Sequence, residues 1–380
     1  SSYLDPSVFF PGSFFQFDRL GPMNTIINAT KNHLASAETA MGEGLFFQSF
    51  LHSGPLATSF ETLTDIRRML QIAFGGLEPM QTTPDNLVST EVSLYRPETL
   101  LPLVTACIVA FVYVKGIEAA GRQVASSLGL KGRKISKFCD AWGEAVYFSI
   151  QIFVSYRLFA GSSWFWPSGW PSSLEDGLRG DIAGGVDGLP RYQCPREVRA
   201  YYVCEFGYYA VMLLRIFFKN RRKDFWELVF HHVVTSTLIM LSYSLWHLRV
   251  GVVIMMLHNI FDPFLNIAKC AHYAFKGAAH VVADISFGLG AIFFLVTRLI
   301  MYPCVIYCAI AYASPASEHP YQLAQNFLKF LLCALLPVHT YWFVLILKVA
   351  KDALVGGAVQ GDERSDSESE EEEDKQKKSK

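Results

Sequence analysis

Residues 221–273 constrain the fold of this chain more than any other stretch. They contain two long apolar segments joined by a short turn at about residues 247–250. Ionisable side chains interrupt both segments, and they are His231, His232, His258 and Asp262. Such groups are costly in hydrocarbon, and inside membrane helices they usually face the bundle interior or a wet cavity. The stretch therefore predicts a helix pair with a polar site inside it.

The depth of these ionisable groups supports a shared site. If both segments are membrane helices, they run antiparallel, and Lys223 and Lys269 mark the same membrane face. His231 lies eight residues in from Lys223, roughly 12 Å along a helix. Asp262 lies seven residues in from Lys269, roughly 10 Å by the same rise. The histidine pair and the aspartate are thus predicted at about the same level in one cavity.

The composition places the whole chain among membrane proteins. Of its 380 residues 51% are hydrophobic and only 18% are charged, and several windows approach the length that a spanning helix needs. We predict an all-α polytopic membrane protein, a bundle of about seven transmembrane helices. Besides the two helices of residues 221–273, the predicted spans are about 99–119, 141–160, 199–218, 280–302 and 323–349. Pro263 is predicted to kink the fifth span, and residues 302–320 to form a connector.

The distribution of Lys and Arg predicts the orientation. The connectors after the first, third and fifth spans are basic, whereas the short connectors on the other side are poor in Lys and Arg. The C-terminus is therefore predicted in the cytosol and the N-terminus in the lumen. The glycosylation sequon at Asn28 falls on the lumenal side. No early apolar run follows a basic segment, so no cleavable signal peptide is expected.

The last residues predict a disordered, acidic cytosolic tail, because a run such as SDSESEEEED cannot bury a core. Ser365, Ser367 and Ser369 lie in this run and are candidate sites for an acid-directed kinase. The terminal Lys377-Lys378-Ser379-Lys380 resembles a dilysine retrieval signal, which predicts the endoplasmic reticulum membrane as the location. The eight cysteines are scattered and predict free thiols rather than disulfides or a metal motif.

The central motifs resemble those of the ceramide synthases, which are acyl-CoA-dependent sphingoid-base N-acyltransferases of the TLC-domain superfamily. The resemblance covers about residues 133–355. The matching motifs are Lys137-Phe138-Cys139-Asp140 with Trp142, Tyr201-Tyr202 with Glu205, Lys223-Asp224-Phe225, His231-His232, Ser242-Tyr243, Arg249, Gly251, His258, Asp262, Ala268-Lys269, Tyr273, Asp284 and Arg298. The chain departs from the family at Asn259 and Asn266, where the family usually has Asp and Glu. The homeobox-like insert of animal members is absent, and residues 1–97 have no counterpart.

The resemblance implies a reaction and a set of residues. It implies transfer of a fatty acyl group from acyl-CoA, the co-substrate, to the amine of a sphingoid base, with no other cofactor and no metal. The implied catalytic residues are His231 as acyl acceptor, Asp262 as base or orienting group, His232 as supporting histidine, and His258. The implied substrate-binding residues are Arg221, Arg222 and Lys223 for the phosphates of coenzyme A, and Asn259, Asp284 and Arg298 in the cavity. Alternatively, Asp284 and Arg298 form a polar pair with a structural role.

The resemblance also implies a division of the chain. Residues 1–97 form a lumenal or interfacial region, residues 98–132 the first span with a basic connector, residues 133–355 the catalytic TLC domain with six spans, and residues 356–380 the tail. The expected partners are acyl-CoA, the sphingoid base, the lipid bilayer and a second subunit in a homo- or heterodimer, and no nucleic acid.

Three alternatives stay open from the sequence. The four-residue His-His and His-Asp set is also suited to binding a metal. A non-enzymatic TLC protein, such as a translocon-associated factor, is disfavoured by the double histidine. The third alternative is a lipid-binding regulator, a former synthase whose activity is lost because Asn259 replaces the usual Asp. An asparagine can still form hydrogen bonds at that position.

Overall fold

The computed structural model of this protein describes residues 55–75, 86–90, 97–162, 165, 193–219, 223–275, 281–311 and 322–356. In chain order the elements are α1 (Pro55–Phe74), β1 (Leu87–Ser89), α2 (Pro97–Ser127), α3 (Arg133–Phe159), β2 (Gln193–Pro195), α4 (Arg196–Phe218), α5 (Phe225–Ser244), α6 (Leu248–Asn259), α7 (Phe261–Ala274), α8 (Val281–Phe294), a π-helical segment (Leu295–Met301), α9 (Tyr302–Ala311) and α10 (Gln322–Gly356).

Five helical passages among the described residues are long and apolar enough to cross a membrane. They are α2, α5, α6 with α7, α8 through α9, and α10. The protein is thus a helical membrane protein. Helices α3 and α4, with 27 and 23 residues, are long enough to span but more polar. Two ends of the bundle are distinguished below: the basic end, with Lys223 and Lys269, and the turn end, where α5 meets α6.

Neighbouring helices pack along much of their length. Helix α3 packs between α2 and α7, α2 packs against α4, α4 against α5, and α5 against α10. A glycine permits the closest of these approaches, because a Cβ atom at Gly207 of α4 would lie 2.6 Å from the backbone of Ala106 in α2. The largest buried cluster is formed mainly by apolar side chains of α1, α3, α4 and α6.

Two irregularities shape the helices around the predicted site. The fifth span is divided at Ile260 into α6 and α7. The break is next to Asn259, whose carbonyl has no N–H partner four residues on, because that residue is Pro263. This fits the predicted kink. The sixth span widens into a π-helical segment at Leu295–Met301, which the sequence did not reveal.

Two predicted boundaries are wrong. The turn between the first two helices of the site lies at Leu245–His247 rather than at residues 247–250. The predicted connector at 302–320 begins with the helix α9, which extends the sixth span to Ala311. The local sequence there, YPCVIYCAIA, is apolar and continues the preceding helix, although Pro303 removes one backbone donor just after the π-helical segment.

The turn end carries structure that the sequence did not predict. Strands β1 and β2 pair antiparallel, with Val88 opposite Cys194. The fold is therefore helical apart from this ribbon of two three-residue strands among the described residues. Helix α1, which lies within the region predicted as lumenal or interfacial, packs on the start of α4 through charged side chains.

The charges between α1 and α4 are paired. Arg199 forms an ion pair with Asp65, and Arg68 lies 2.7 Å from the fully buried Glu197. Asn86 donates a hydrogen bond of 2.8 Å to the other oxygen of Glu197. Burial raises the pKa of Asp65 above its ordinary value, and the guanidinium of Arg199 opposes that shift. These contacts join residues before the first span to the bundle.

Candidate active site

A buried ion pair forms one end of the candidate site. The Nη2 atom of Arg298, in the π-helical segment, donates to Asp262 Oδ2 of α7 at 2.7 Å. The same nitrogen donates to the backbone carbonyl of His258 at 2.7 Å. Arg298 therefore ties α7 and the last turn of α6 to one point. Its guanidinium also lies over the rings of Phe261 and Phe294, at 5.2 and 5.1 Å from their centroids.

Two histidines continue from this ion pair into the bundle. His258 Nδ1 lies 2.8 Å from the carbonyl oxygen of Ile254, so that nitrogen carries the proton and donates it. His258 Nε2 is then an acceptor in the neutral ring. It lies 3.2 Å from His339 Nε2 of α10, which must be the donor. The remaining nitrogen, His339 Nδ1, is left with a lone pair, and it is buried without a hydrogen-bond partner among the described residues.

His231 stands next to His339. The two ring centroids are 6.3 Å apart, and the ring of His231 lies 5.0 Å from that of Trp342, one turn further along α10. His231 is 7% exposed, and its Nδ1 has no hydrogen-bond partner within the described part of the chain. We call the sequence of contacts from Asp262 through Arg298, His258 and His339 to His231 the histidine row.

Helix α4 closes one side of the histidine row. Tyr209 packs with its ring 5.4 Å from that of His232 and 6.5 Å from that of His231. One turn earlier on α4, Glu205 is fully buried. Its Oε1 accepts a hydrogen bond of 2.7 Å from Asn259 Nδ2. The side chain of Asn259 is uncharged, so it does not compensate a charge on Glu205. It does give one carboxyl oxygen of Glu205 a hydrogen-bond donor.

An apolar cavity opens from the histidine row towards the turn end. Its volume, counting the open space at its mouth, is about 850 Å³. Tyr209 and His258 lie at one end of its lining and His247 and Val250 at the other, with apolar side chains of α5, α6, α9 and α10 between them. A cavity with so few polar groups suits a lipid chain.

The structure brings together part of the residue set that the sequence predicts. His231, His258 and Asp262 belong to the histidine row, and His232 joins it through Tyr209. Asp262 does not contact His231 directly; it pairs with Arg298, and His258 and His339 lie between. The alternative of a polar pair between Asp284 and Arg298 is wrong, because Arg298 pairs with Asp262.

The remaining predicted residues lie elsewhere. Asp284 is in the first turn of α8, at the basic end and far along the helix from Arg298. Lys223 is exposed just before α5. Arg221, Arg222, Asn28 and the serines at 365, 367 and 369 lie outside the described residues.

Two members of the site have no role in the prediction. His339 lies in the last span, where it is the one Asp, Glu, Lys, Arg or His residue between Lys329 and Lys348. A single histidine in an apolar span indicates a polar site, because a histidine is costly in hydrocarbon unless it has partners. Glu205 was noticed as part of a motif but not placed near Asn259, since 54 residues separate them.

Among the described residues no group of three or more His, Cys, Asp or Glu side chains is placed to hold a metal ion. The described residues therefore offer no set of ligands for the metal site that the sequence left open. All eight cysteines are free, as predicted, although Cys304 is exposed on α9.

Comparison with known proteins identifies the class. A family model described as the TLC domain matches residues 137–348, more than half of the chain. The chain therefore belongs to the TLC-domain family.

Several of the similar proteins are ceramide synthases by name. Ceramide synthase 5 of Homo sapiens is 32% identical over 234 residues, which cover 62% of this chain and 55% of that protein. Ceramide synthase 1 LOH3 of Arabidopsis thaliana is 30% identical over 250 residues, or 62% of this chain and 75% of that protein. The chain spans about half the length of the animal relatives it matches.

Proposed function

We propose that this protein is a ceramide synthase, an acyltransferase that moves a fatty acyl group from acyl-CoA to the amine of a sphingoid base. One observation carries the proposal: a row of buried histidines, two of which have a ring nitrogen without a hydrogen-bond partner among the described residues, leads to an apolar cavity lined by His258. Acyl transfer to an amine needs a nucleophile or base next to the carbonyl and space for the chain. The similarity to ceramide synthases supports the same reaction.

In this proposal His231 accepts the acyl group. An unprotonated ring nitrogen attacks the thioester carbonyl, the carbon–sulfur bond breaks, and coenzyme A leaves as a thiolate. The ring loses its own N–H proton to a neighbouring base, so that a neutral acylimidazole results. The amine then attacks the same carbonyl carbon, the amide forms, and the imidazole leaves with a proton returned to it. The proton lost by the amine balances the one gained by the thiolate.

The other members of the row would position these groups. The His339 Nδ1 lone pair is oriented because the opposite nitrogen donates to His258. That fixed lone pair is suited to accept the His231 ring proton or an N–H of the incoming amine. Arg298 and Asp262 hold α6, α7 and the π-helical segment together behind these rings. The cluster Arg221, Arg222 and Lys223 would bind the phosphates of coenzyme A at the membrane surface.

The proposal includes a topology. With α3 and α4 counted as spans, the bundle has seven, and the basic connectors place the C-terminal tail in the cytosol and Asn28 in the lumen of the endoplasmic reticulum. His231 then lies about two turns from the cytosolic face, where acyl-CoA is available. The cavity extends from there towards the lumenal side. Protease treatment of sealed microsomes should digest the tail, and Asn28 should carry a glycan sensitive to endoglycosidase. A protected tail would invert the arrangement.

The activity is tested on the purified protein in lipid vesicles. With a fatty acyl-CoA and sphinganine present, mass spectrometry should detect dihydroceramide, and omission of either substrate should abolish it. Binding of acyl-CoA without any product, also after long incubation, would favour the lipid-binding regulator instead. Dimerisation stays a prediction, which crosslinking in native membranes would check.

A further inference from the structure

The turn between α5 and α6 forms part of the far end of the apolar cavity. His247, Val250 and Gly251 line the cavity there. Opposite them stand Cys308 and Ala309 of α9 and the side chains of Gln325 and Lys329 near the start of α10. From Gln325 to Leu335 the lining extends over ten residues of α10, roughly 15 Å of helix. Staggered carbon–carbon bonds of about 1.5 Å fit roughly a dozen carbons into that length.

This turn has an unusual backbone. Trp246 has a φ of 63°, in the left-handed region, where a bulky residue is rarely found without a reason. Its indole is buried, at 3% exposure. Such a conformation persists only where surrounding contacts hold it in place. One of the contacts that hold it comes from the ribbon.

The ribbon of β1 and β2 forms hydrogen bonds with Trp246 in the turn and with Tyr243 in the last turn of α5. Trp246 Nε1 donates to the carbonyl oxygen of Gln193 in β2 at 3.0 Å. Tyr243 OH donates to the carbonyl oxygen of Ser89 in β1 at 3.2 Å. Both strands therefore contact the turn or the residues just before it.

Helix α4 holds the other side of the turn. Tyr202 OH donates to the carbonyl oxygen of Leu248 at 3.0 Å. A Cβ atom at Gly251 would lie 2.1 Å from that same hydroxyl oxygen and 2.8 Å from Ser242 Oγ. The first turn of α6 is thus packed against α4 without spare room, whereas the ribbon contacts the turn that precedes it.

We propose that the ribbon, through Tyr243 and Trp246, sets the position of the α5–α6 turn and thereby selects the length of the acyl chain that the cavity accepts. Strand β1 precedes the matched TLC domain, which begins at residue 137, so the selecting element lies partly outside that domain. This inference rests on the proposed function, because it assigns the cavity to the acyl chain.

The mechanism is steric. An acyl chain longer than the cavity has to displace the turn, and each hydrogen bond from the ribbon opposes that displacement. Loss of one such bond lowers the opposition by about 1 kcal/mol, which corresponds to about a fivefold change in preference. The effect concerns longer chains only, since shorter ones do not reach the turn.

The experiment supplies an equimolar mixture of saturated acyl-CoAs of graded length to the full-length protein in vesicles and measures the ceramide products by mass spectrometry. Tyr243→Phe and Trp246→Phe each remove one hydrogen-bond donor and keep a ring. We expect each to raise the ratio of long-chain to short-chain products about fivefold. Val250→Phe adds volume at the far end of the cavity and should shift the products towards shorter chains.

Matched controls make the same chemical changes on the outer surface. Tyr156→Phe on α3 and Trp226→Phe on α5 concern side chains that are 52% and 67% exposed, and both should leave the ratio unchanged. Cys194 reports on the ribbon independently, because its buried Sγ lies 3.7 Å from Tyr243 OH and burial raises its pKa to about 12. N-ethylmaleimide should label it faster in Tyr243→Phe than in the unaltered protein.

The outcomes separate this inference from the proposed function. An unaltered product ratio in both Tyr243→Phe and Trp246→Phe overturns the role of the ribbon, whether or not Cys194 is labelled. A shift of the same size in the two controls overturns it as well. Failure of the proposed function has a different signature: the unaltered protein then forms no ceramide from any acyl-CoA in the mixture.

Discussion

Two buried polar networks in this protein differ in the kind of side chain that accompanies their ion pairs. At the turn end, the carboxylates of Asp65 and Glu197 are each paired with an arginine. In the histidine row, Asp262 is paired with Arg298, but His231 and His339 keep buried ring nitrogens without hydrogen-bond partners among the described residues. A buried polar atom without a partner costs stability in either network, and the turn end has one at Arg199 Nε, which is no base. An imidazole nitrogen, in contrast, can act as a base or nucleophile near neutral pH, so it is available to a substrate. The comparison assigns structure to the first network and chemistry to the second.

The largest expected effect tests the chemical side. His231→Ala should lower ceramide formation by about 10³-fold or more, because it removes the acyl acceptor, while the protein still inserts and folds. Product formation and thermal unfolding in detergent are the measurements. His272→Ala, on α7 outside the histidine row, is the matched control and should stay active. Full activity of His231→Ala would end the assignment of the row to catalysis.

Breaking the ion pair of the histidine row should affect both stability and activity. Arg298→Met leaves the carboxylate of Asp262 buried without its cation, and removal of one partner of a buried pair typically costs about 3–5 kcal/mol of unfolding free energy. The double variant Asp262→Asn, Arg298→Met should recover much of that stability and no activity. Additive losses of stability would show that the two side chains do not depend on each other.

His339 distinguishes a positioning group from a packing group. His339→Phe keeps the ring volume but removes both nitrogens, and we expect a loss of about 10²-fold in turnover. His339→Gln keeps a donor and an acceptor and should restore part of the rate without restoring the shape of the ring. Equal rates in the two variants would mean that His339 only fills space.

Breaking the turn-end network should lower the stability of the protein without lowering its activity. Asp65→Asn leaves Arg199 without its carboxylate, and we expect the unfolding free energy to fall by about 1–3 kcal/mol. Total ceramide formation at saturating substrate should stay within the error of the assay at a temperature where the variant is folded. A large loss of activity in the folded variant would remove the distinction between the two networks.

The smallest effect is expected at Asn259. Asn259→Asp replaces the amide that donates to Glu205 with a second carboxyl group at 2.7 Å. Two carboxyl groups at that distance share one proton, so one of them stays neutral and keeps the hydrogen bond. The rate near neutral pH should therefore change only modestly, and activity at alkaline pH should fall as the shared proton is lost. A variant that is active while the unaltered protein is inactive would instead support the regulator.

Some features of this protein were determined by its sequence alone. The apolar windows and the double histidine are local, and they sufficed for a helical membrane protein of this family with His231, His258 and Asp262 inside the bundle. A proline three residues after Ile260 likewise indicated the break of the fifth span, because the lost backbone hydrogen bond is a property of the residue itself.

Only the tertiary structure decided which of these groups meet. Matched depth placed His231 and Asp262 at one level, but depth does not give the rotation of a helix about its axis, and that rotation turns Asp262 to Arg298 rather than to His231. His339 is 81 residues from the histidine it binds, and β1 is separated by more than a hundred residues from β2. Contacts between residues so far apart depend on how all the helices pack, and no local pattern encodes them.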